Sequence, residues 1–205
     1  MKAMMKLLSV STAGVLMAAN LAFAAPEVGK AAPDFEVIDT QGNTVALSSL
    51  QGKTVVMEWT NHQCPFVKKH YESGNMQALQ KEAVADDIVW VSVISSAEGN
   101  QGYVDAEQAN SLTAERDASP THVLLDPSGD LGRQYEARTT PHMFVINAEG
   151  QVAYMGGIDD IPSADKADID GAENYVRTAL SEIKSGQAVT TATTRPYGCS
   201  VKYDS

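Results

Sequence analysis

The chain has 205 residues, 26 acidic and 15 basic side chains for a formal charge of −11, two cysteines and 43% hydrophobic residues. That composition suits one globular domain of ordinary core size rather than two domains or a disordered chain. It excludes a nucleic-acid backbone binder, which needs clustered Lys and Arg, and a disulfide-stapled scaffold, although two cysteines suffice for one redox pair.

Lys2 and Lys6 open the chain, and Leu7 to Ala22 is an apolar run softened by Ser9, Ser11, Thr12, Gly14 and Asn20. Ala22-Phe23-Ala24 then reads as an A-x-A cleavage site, so residues 1–24 are expected to be a signal peptide. No stretch is long and apolar enough for a spanning helix. Cleavage removes two lysines and no acid, taking 205 residues to 181 and the charge from −11 to −13. The expected location is periplasmic or secreted, where cysteines meet an oxidising compartment.

After a polar lead-in from Ala25 to Ala32, residues 35–39 and 44–47 read as short strands joined at Gln41-Gly42-Asn43, a hairpin signal. Lys53 to Trp59 is β-branched and apolar, which suits a buried strand. Pro65 permits a helix start. That helix is predicted to run past Tyr71, break near Ser73-Gly74-Asn75 and resume to about Val84. A strand over Ile88–Ile94, a loop, a helix over Ala106–Arg116, a strand over Thr121–Leu125 and a short helix over Leu131–Ala137 follow. Pro141–Ile146 and Gln151–Met155 read as strands about a turn.

Ile169, Ala172, Val176, Ala179, Leu180 and Ile183 recur at helical spacing, predicting one amphipathic helix over Ala167–Ser185. Strands alternating with helices imply an α/β fold around a central sheet. The expected domain therefore spans 25–185, with 186–205 an extended tail carrying Cys199.

Cys64 follows a predicted buried strand and precedes Pro65 at a helix start. Free N–H groups and the positive end of the helix dipole lower a thiol pKa there. His62, Lys68, Lys69 and His70 are near in sequence and could add positive potential. The alternative is an inert buried cysteine or half of a structural disulfide.

The run KTVVMEWT, then NHQCPF, then TTPHMFVI resembles the thioredoxin-like fold, within its redoxin, AhpC/TSA-related (peroxiredoxin-like) group. The resemblance implies a three-layer sandwich with a mixed central sheet, here with an N-terminal hairpin and a C-terminal tail. It also implies a cis-proline opposite the cysteine, a place that Thr140-Pro141 occupies. The thioredoxin C-x-x-C is absent, since Val67 stands where its second cysteine would be. The peroxiredoxin P-x-x-x-T/S-x-x-C is also absent, with Met57 and Asn61 at its places, and Pro141 stands near where that family carries an arginine. Peroxidase chemistry is thereby put in doubt. Glu58 lies six residues before Cys64, the separation of the buried acid from the first cysteine in thioredoxins.

The readings of these residues stay open in places. Glu58 is either a buried carboxylate with a raised pKa that moves protons, or a side chain that faces solvent or pairs with a lysine. Cys199, on the returning tail, is the candidate resolving thiol, or half of a permanent Cys64–Cys199 bond, or a thiol that never meets Cys64. His142 either sits beside Cys64 or points outward. A copper or other soft-metal site on His62, Cys64, His70 and Cys199 is the reading from another class. The acidic segment Asp159, Asp160, Asp165, Asp168 and Asp170 fails the EF-hand pattern and reads as a solvated loop.

The expected function is therefore thiol–disulfide exchange or antioxidant chemistry, with Cys64, Cys199, Glu58, Thr140 and Pro141 as site residues and no cofactor. Expected partners are protein or small-molecule thiols and disulfides and a thioredoxin-like electron donor.

Overall fold

The computed structural model describes residues 25–204, so the expected signal peptide lies outside the described residues. A hairpin opens the fold: β1 (Glu36–Ile38) pairs antiparallel with β2 (Thr44–Ala46). Asp39 fixes its turn by accepting from the backbone N–H of Gln41 and Asn43.

The central strand β3 (Val55–Trp59) is buried along its whole length. It leads to α1 (Pro65–Glu72), α2 (Asn75–Ala85) and β4 (Val89–Ile94). The break between the helices falls where predicted, at Gly74, whose φ of 78° ends one helix and starts the next. Next come α3 (Ala106–Glu115), closed by a capping box between Asp105 and Gln108, then β5 (His122–Leu125) and α4 (Asp130–Gln134). The chain continues through β6 (Thr139–Thr140), β7 (His142–Ile146), β8 (Val152–Gly156), α5 (Tyr175–Lys184) and β9 (Cys199–Ser200).

The main sheet has the order β5-β4-β3-β7-β8, parallel through β5, β4 and β3 and antiparallel beyond. Strand alternation divides its side chains between two cores. Val55, Met57, Trp59, Val91 and Phe144 face the hairpin, α4 and the end of the tail. Val56, Trp90, Met143 and Val145 face α1, α2 and α5. This is the thioredoxin-like α/β sandwich. Among the described residues no helix is long and apolar enough to cross a membrane.

Two elements differ from the sequence reading. The last helix is not continuous over Ala167–Ser185: Lys166–Gly171 is a 3₁₀ segment with nothing buried, Ala172 is extended, and α5 begins only at Tyr175 under an Asn174 cap. The cause is a local bridge between Asp159 and Asn174, with the Tyr175 N–H given to the Ile158 carbonyl, which straightens the chain before the helix. Ile169 and Ala172 therefore do not join the buried face, which Val176 and Ala179 form.

The tail after residue 185 is extended but fastened. Thr193 bridges to Met155, β9 pairs with β6, Ala97 donates to the Lys202 carbonyl, and Val201 enters the core.

Candidate active site, a cysteine pair beside the Thr140–Pro141 loop

Cys64 is the cap residue of α1, in extended conformation, with Pro65 as the first helical residue. Proline there leaves no N–H to satisfy and starts the helix at its own φ. The turn before it is held by Asn61, whose side chain accepts from the Gln63 N–H and donates to the Gln101 carbonyl. Gly102 is needed opposite: it has φ +87°, and a Cβ there would lie 2.3 Å from Asn61 Nδ2.

The Cys64 thiol points back to the loop before β7, where the Thr140–Pro141 peptide is cis. It donates to the Thr140 carbonyl at 3.1 Å. Its sulfur is 2.8 Å from that of Cys199, 135 residues further along, and both thiols are free. Strand pairing makes this approach possible, since Thr140 lies opposite Cys199 in the β6–β9 ladder. Gly198 lets the tail come this close: at φ +136° a Cβ would stand 2.1 Å from the Thr140 oxygen.

The two thiols are electrostatically unequal. Burial pushes the Cys64 pKa up, but hydrogen bonds from the Cys199 thiol and from the Val67 and Cys199 N–H groups outweigh it. Cys64 therefore ionises below the ordinary cysteine value. Cys199 is pushed up to about 11, first by burial and then by the neighbouring Cys64 sulfur. Access runs the other way. Cys64 is 0% exposed, while Cys199 is half-buried.

Glu58 is fully buried, which decides between its two readings. Its carboxylate accepts from Tyr71 Oη at 3.0 Å, Trp90 Nε1 at 3.0 Å, Ser92 Oγ at 3.2 Å and Gln80 Nε2 at 3.3 Å. Loss of hydration raises its pKa in spite of those donors. It forms no hydrogen bond with either cysteine.

The positive potential expected beside Cys64 is largely absent. His70 is pushed down to about 4, chiefly by burial, and is neutral near pH 7. Lys69 is buried and turned to Asp159, at 3.4 Å. The His62 pKa is also lowered, by burial and then by the charges of Arg116 and Lys68. His142 neither adjoins Cys64 nor points outward. It is buried on the other face of the sheet, its ring 4.6 Å from that of Phe144, because its neighbour Met143 takes the Cys64 side.

Of the side chains of the metal reading, the two cysteines meet but no third ligand joins them. Both His70 ring nitrogens have partners, Tyr197 Oη and Asn75 Nδ2, and among the described residues no three His, Cys, Asp or Glu side chains form a metal-holding group. Asp159 corrects the solvated-loop reading, since it is 4% exposed and bound to Tyr197 and Lys69. Asp159 and Tyr197 were missed as site neighbours. The signal available was Pro196-Tyr197, bulky residues in a tail of small polar ones, two positions before Cys199.

A central strand feeding a cysteine-capped helix, with a cis-proline loop facing it over a mixed sheet, defines a thioredoxin-like redoxin. The chain belongs to the AhpC/TSA family, whose model matches residues 28–155. It is 28% identical over 114 residues to sporulation thiol-disulfide oxidoreductase A of Bacillus subtilis (strain 168). That match covers 55% of this chain and 63% of the relative's length.

Among solved structures, a hypothetical protein from Sinorhizobium meliloti 1021 superposes with TM-score 0.73 at 21% identity, covering 89% of this chain and 97% of that one. The exposed lipoprotein thioredoxin of Streptococcus pneumoniae strain TIGR4 superposes with TM-score 0.51 at 24% identity, covering 72% and 98%. These two likenesses speak to fold alone.

Proposed function

We propose that the chain is an exported dithiol–disulfide oxidoreductase in which Cys64 attacks and Cys199 resolves. The observation that carries this reading is the 2.8 Å approach of the two sulfurs, one with a lowered and one with a raised pKa. The Cys64 thiolate attacks a substrate disulfide R–S–S–R′, forms Cys64–S–S–R and releases R′–S⁻, which takes up a proton. Cys199 then loses its proton, attacks the Cys64 sulfur and expels R–S⁻, leaving Cys64–S–S–Cys199. The substrate gains two electrons, and a thioredoxin-like dithiol returns them to the protein.

The Thr140 carbonyl orients the Cys64 thiol, and Pro141 holds that loop against it. Glu58 is a proton store acting at a distance, since it touches neither sulfur. Residues 1–24 supply the export signal. The name of the Bacillus subtilis relative supports the reaction class.

The test is oxidation of the reduced protein by glutathione disulfide, followed by peptide mapping. The expected product is an intramolecular Cys64–Cys199 cross-link, with the dithiol form reducing insulin. Two separate glutathione adducts and no cross-link would overturn the assignment.

Peroxide should be a poor oxidant. Cys64 has no exposed surface and faces a carbonyl and a thiol, without the threonine and arginine of the peroxiredoxin pattern. Stopped-flow mixing with hydrogen peroxide is expected to show consumption no faster than an ordinary protein thiol; rapid second-order loss would count against this.

A further inference from the structure

The proposed chemistry leaves Cys64 covered by the very segment that resolves it. We propose that the Tyr197–Asp159 hydrogen bond is a latch that positions Cys199 on Cys64 and keeps Cys64 closed to substrate until it opens. This rests on the thiol-exchange reading and adds a positioning residue to it.

Tyr197 is two residues before Cys199 and is the large side chain by which this part of the tail is anchored. Its hydroxyl donates to Asp159 Oδ1 and lies 3.3 Å from His70 Nε2. Asp159 is itself held by Lys69 at 3.4 Å, both side chains being buried. The Tyr197 ring packs edge-on against Phe66 of α1 at 5.8 Å, so the anchor grips the same helix that Cys64 caps.

The other attachments lie to either side of this anchor: Met155 exchanges backbone hydrogen bonds with Ala192 and Thr194, the Thr194 hydroxyl accepts from the Gly157 N–H, and the two-residue β6–β9 ladder follows at Thr139 and Thr140. A groove of about 510 Å³ adjoins the anchor, lined by Thr139, Asp159, Asp160 and Tyr175 and by the tail from Thr194 to Gly198 itself. The tail therefore has space to move into. Movement is confined to residues 195–200, between Thr194, which holds the Gly157 N–H, and Val201, whose N–H bonds to the Arg138 carbonyl.

A hydrogen bond to a charged acceptor contributes enough to change an equilibrium about tenfold or more. Tyr197→Phe removes the hydroxyl and keeps the ring on Phe66. In the reduced full chain, iodoacetamide should alkylate Cys64 about tenfold faster than in the parent. The value of [GSH]²/[GSSG] that half-reduces the Cys64–Cys199 pair should fall by a similar factor. Asp159→Asn, which weakens the same bond from the acceptor side, should shift both readouts in the same direction. Urea unfolding is measured in parallel, since a merely structural loss lowers stability without changing Cys64 alkylation in the folded state.

Alkylation and glutathione equilibrium within twofold of the parent in Tyr197→Phe would overturn the latch. Faster alkylation without turnover of any disulfide would keep the latch and remove the oxidoreductase reading, so the two failures are distinguishable.

Discussion

Cys64→Ser is expected to abolish disulfide reduction, while Cys199→Ser leaves the first attack intact and stalls as a mixed disulfide at Cys64. The asymmetry follows from the site. Cys64 is the thiol stabilised as a thiolate, by the Cys199 thiol and the Val67 N–H among others, whereas Cys199 stays protonated until it is needed. Held 2.8 Å from its target, Cys199 has the advantage of an intramolecular reactant. Removing it should lower steady-state turnover on the order of a thousandfold with little change in a single-turnover burst.

Mass spectrometry of the stalled adduct is the direct check. An adduct that maps to Cys199 in Cys64→Ser and turns over there would reverse the roles, since Cys199 is the more exposed thiol.

Acid should destabilise the fold between pH 6.5 and 4. His70 and His142 are both buried and both pushed down to about 4, first by desolvation. Over that window the unfolded chain takes up protons that the folded chain refuses, so stability is present above pH 6.5 and lost as pH falls toward 4. Each histidine then contributes a loss of about 2 kcal/mol by pH 5 and about 3 kcal/mol by pH 4. Glu58 opposes this. Its raised pKa means the folded state holds a proton more tightly, so its own contribution improves as pH falls. His62, whose pKa is also lowered, adds to the histidine side of this balance.

Urea unfolding at pH 7 and pH 5 is expected to show a clear drop in midpoint, and His142→Gln should reduce the pH slope by roughly half. An unchanged slope in both His142→Gln and His70→Gln would sink the assignment.

The elements around the site were readable because their signals are local. Val55–Trp59 is an apolar, β-branched run, Pro65 marks a helix start, and Gly74 marks the break between two helices. The last helix was misread because periodicity from Ile169 onward continues through residues that a bridge at Asn174 holds extended. Periodicity records which residues are apolar and does not show a competing backbone partner. Asp159 was misread for a related reason: in an acidic run each carboxylate looks alike, and only Lys69 and Tyr197 single this one out for burial. His142 was ambiguous because alternation gives a face only once a neighbour's burial is known.

The sequence by itself determined that one of two cysteines stands at a helix start behind a buried strand, and that the other follows a polar tail. Those are statements about neighbours within a few residues, where backbone preference and hydrophobic pattern act. Only the tertiary structure decided that Cys199 returns to Cys64, because a 135-residue separation is closed by the sheet order, the Thr140–Cys199 pairing and the Gly198 approach together. It also decided which thiol is acidic and which is covered. Both depend on desolvation and on hydrogen-bond donors brought from other elements, and neither is a property of the residues that flank a cysteine in the chain.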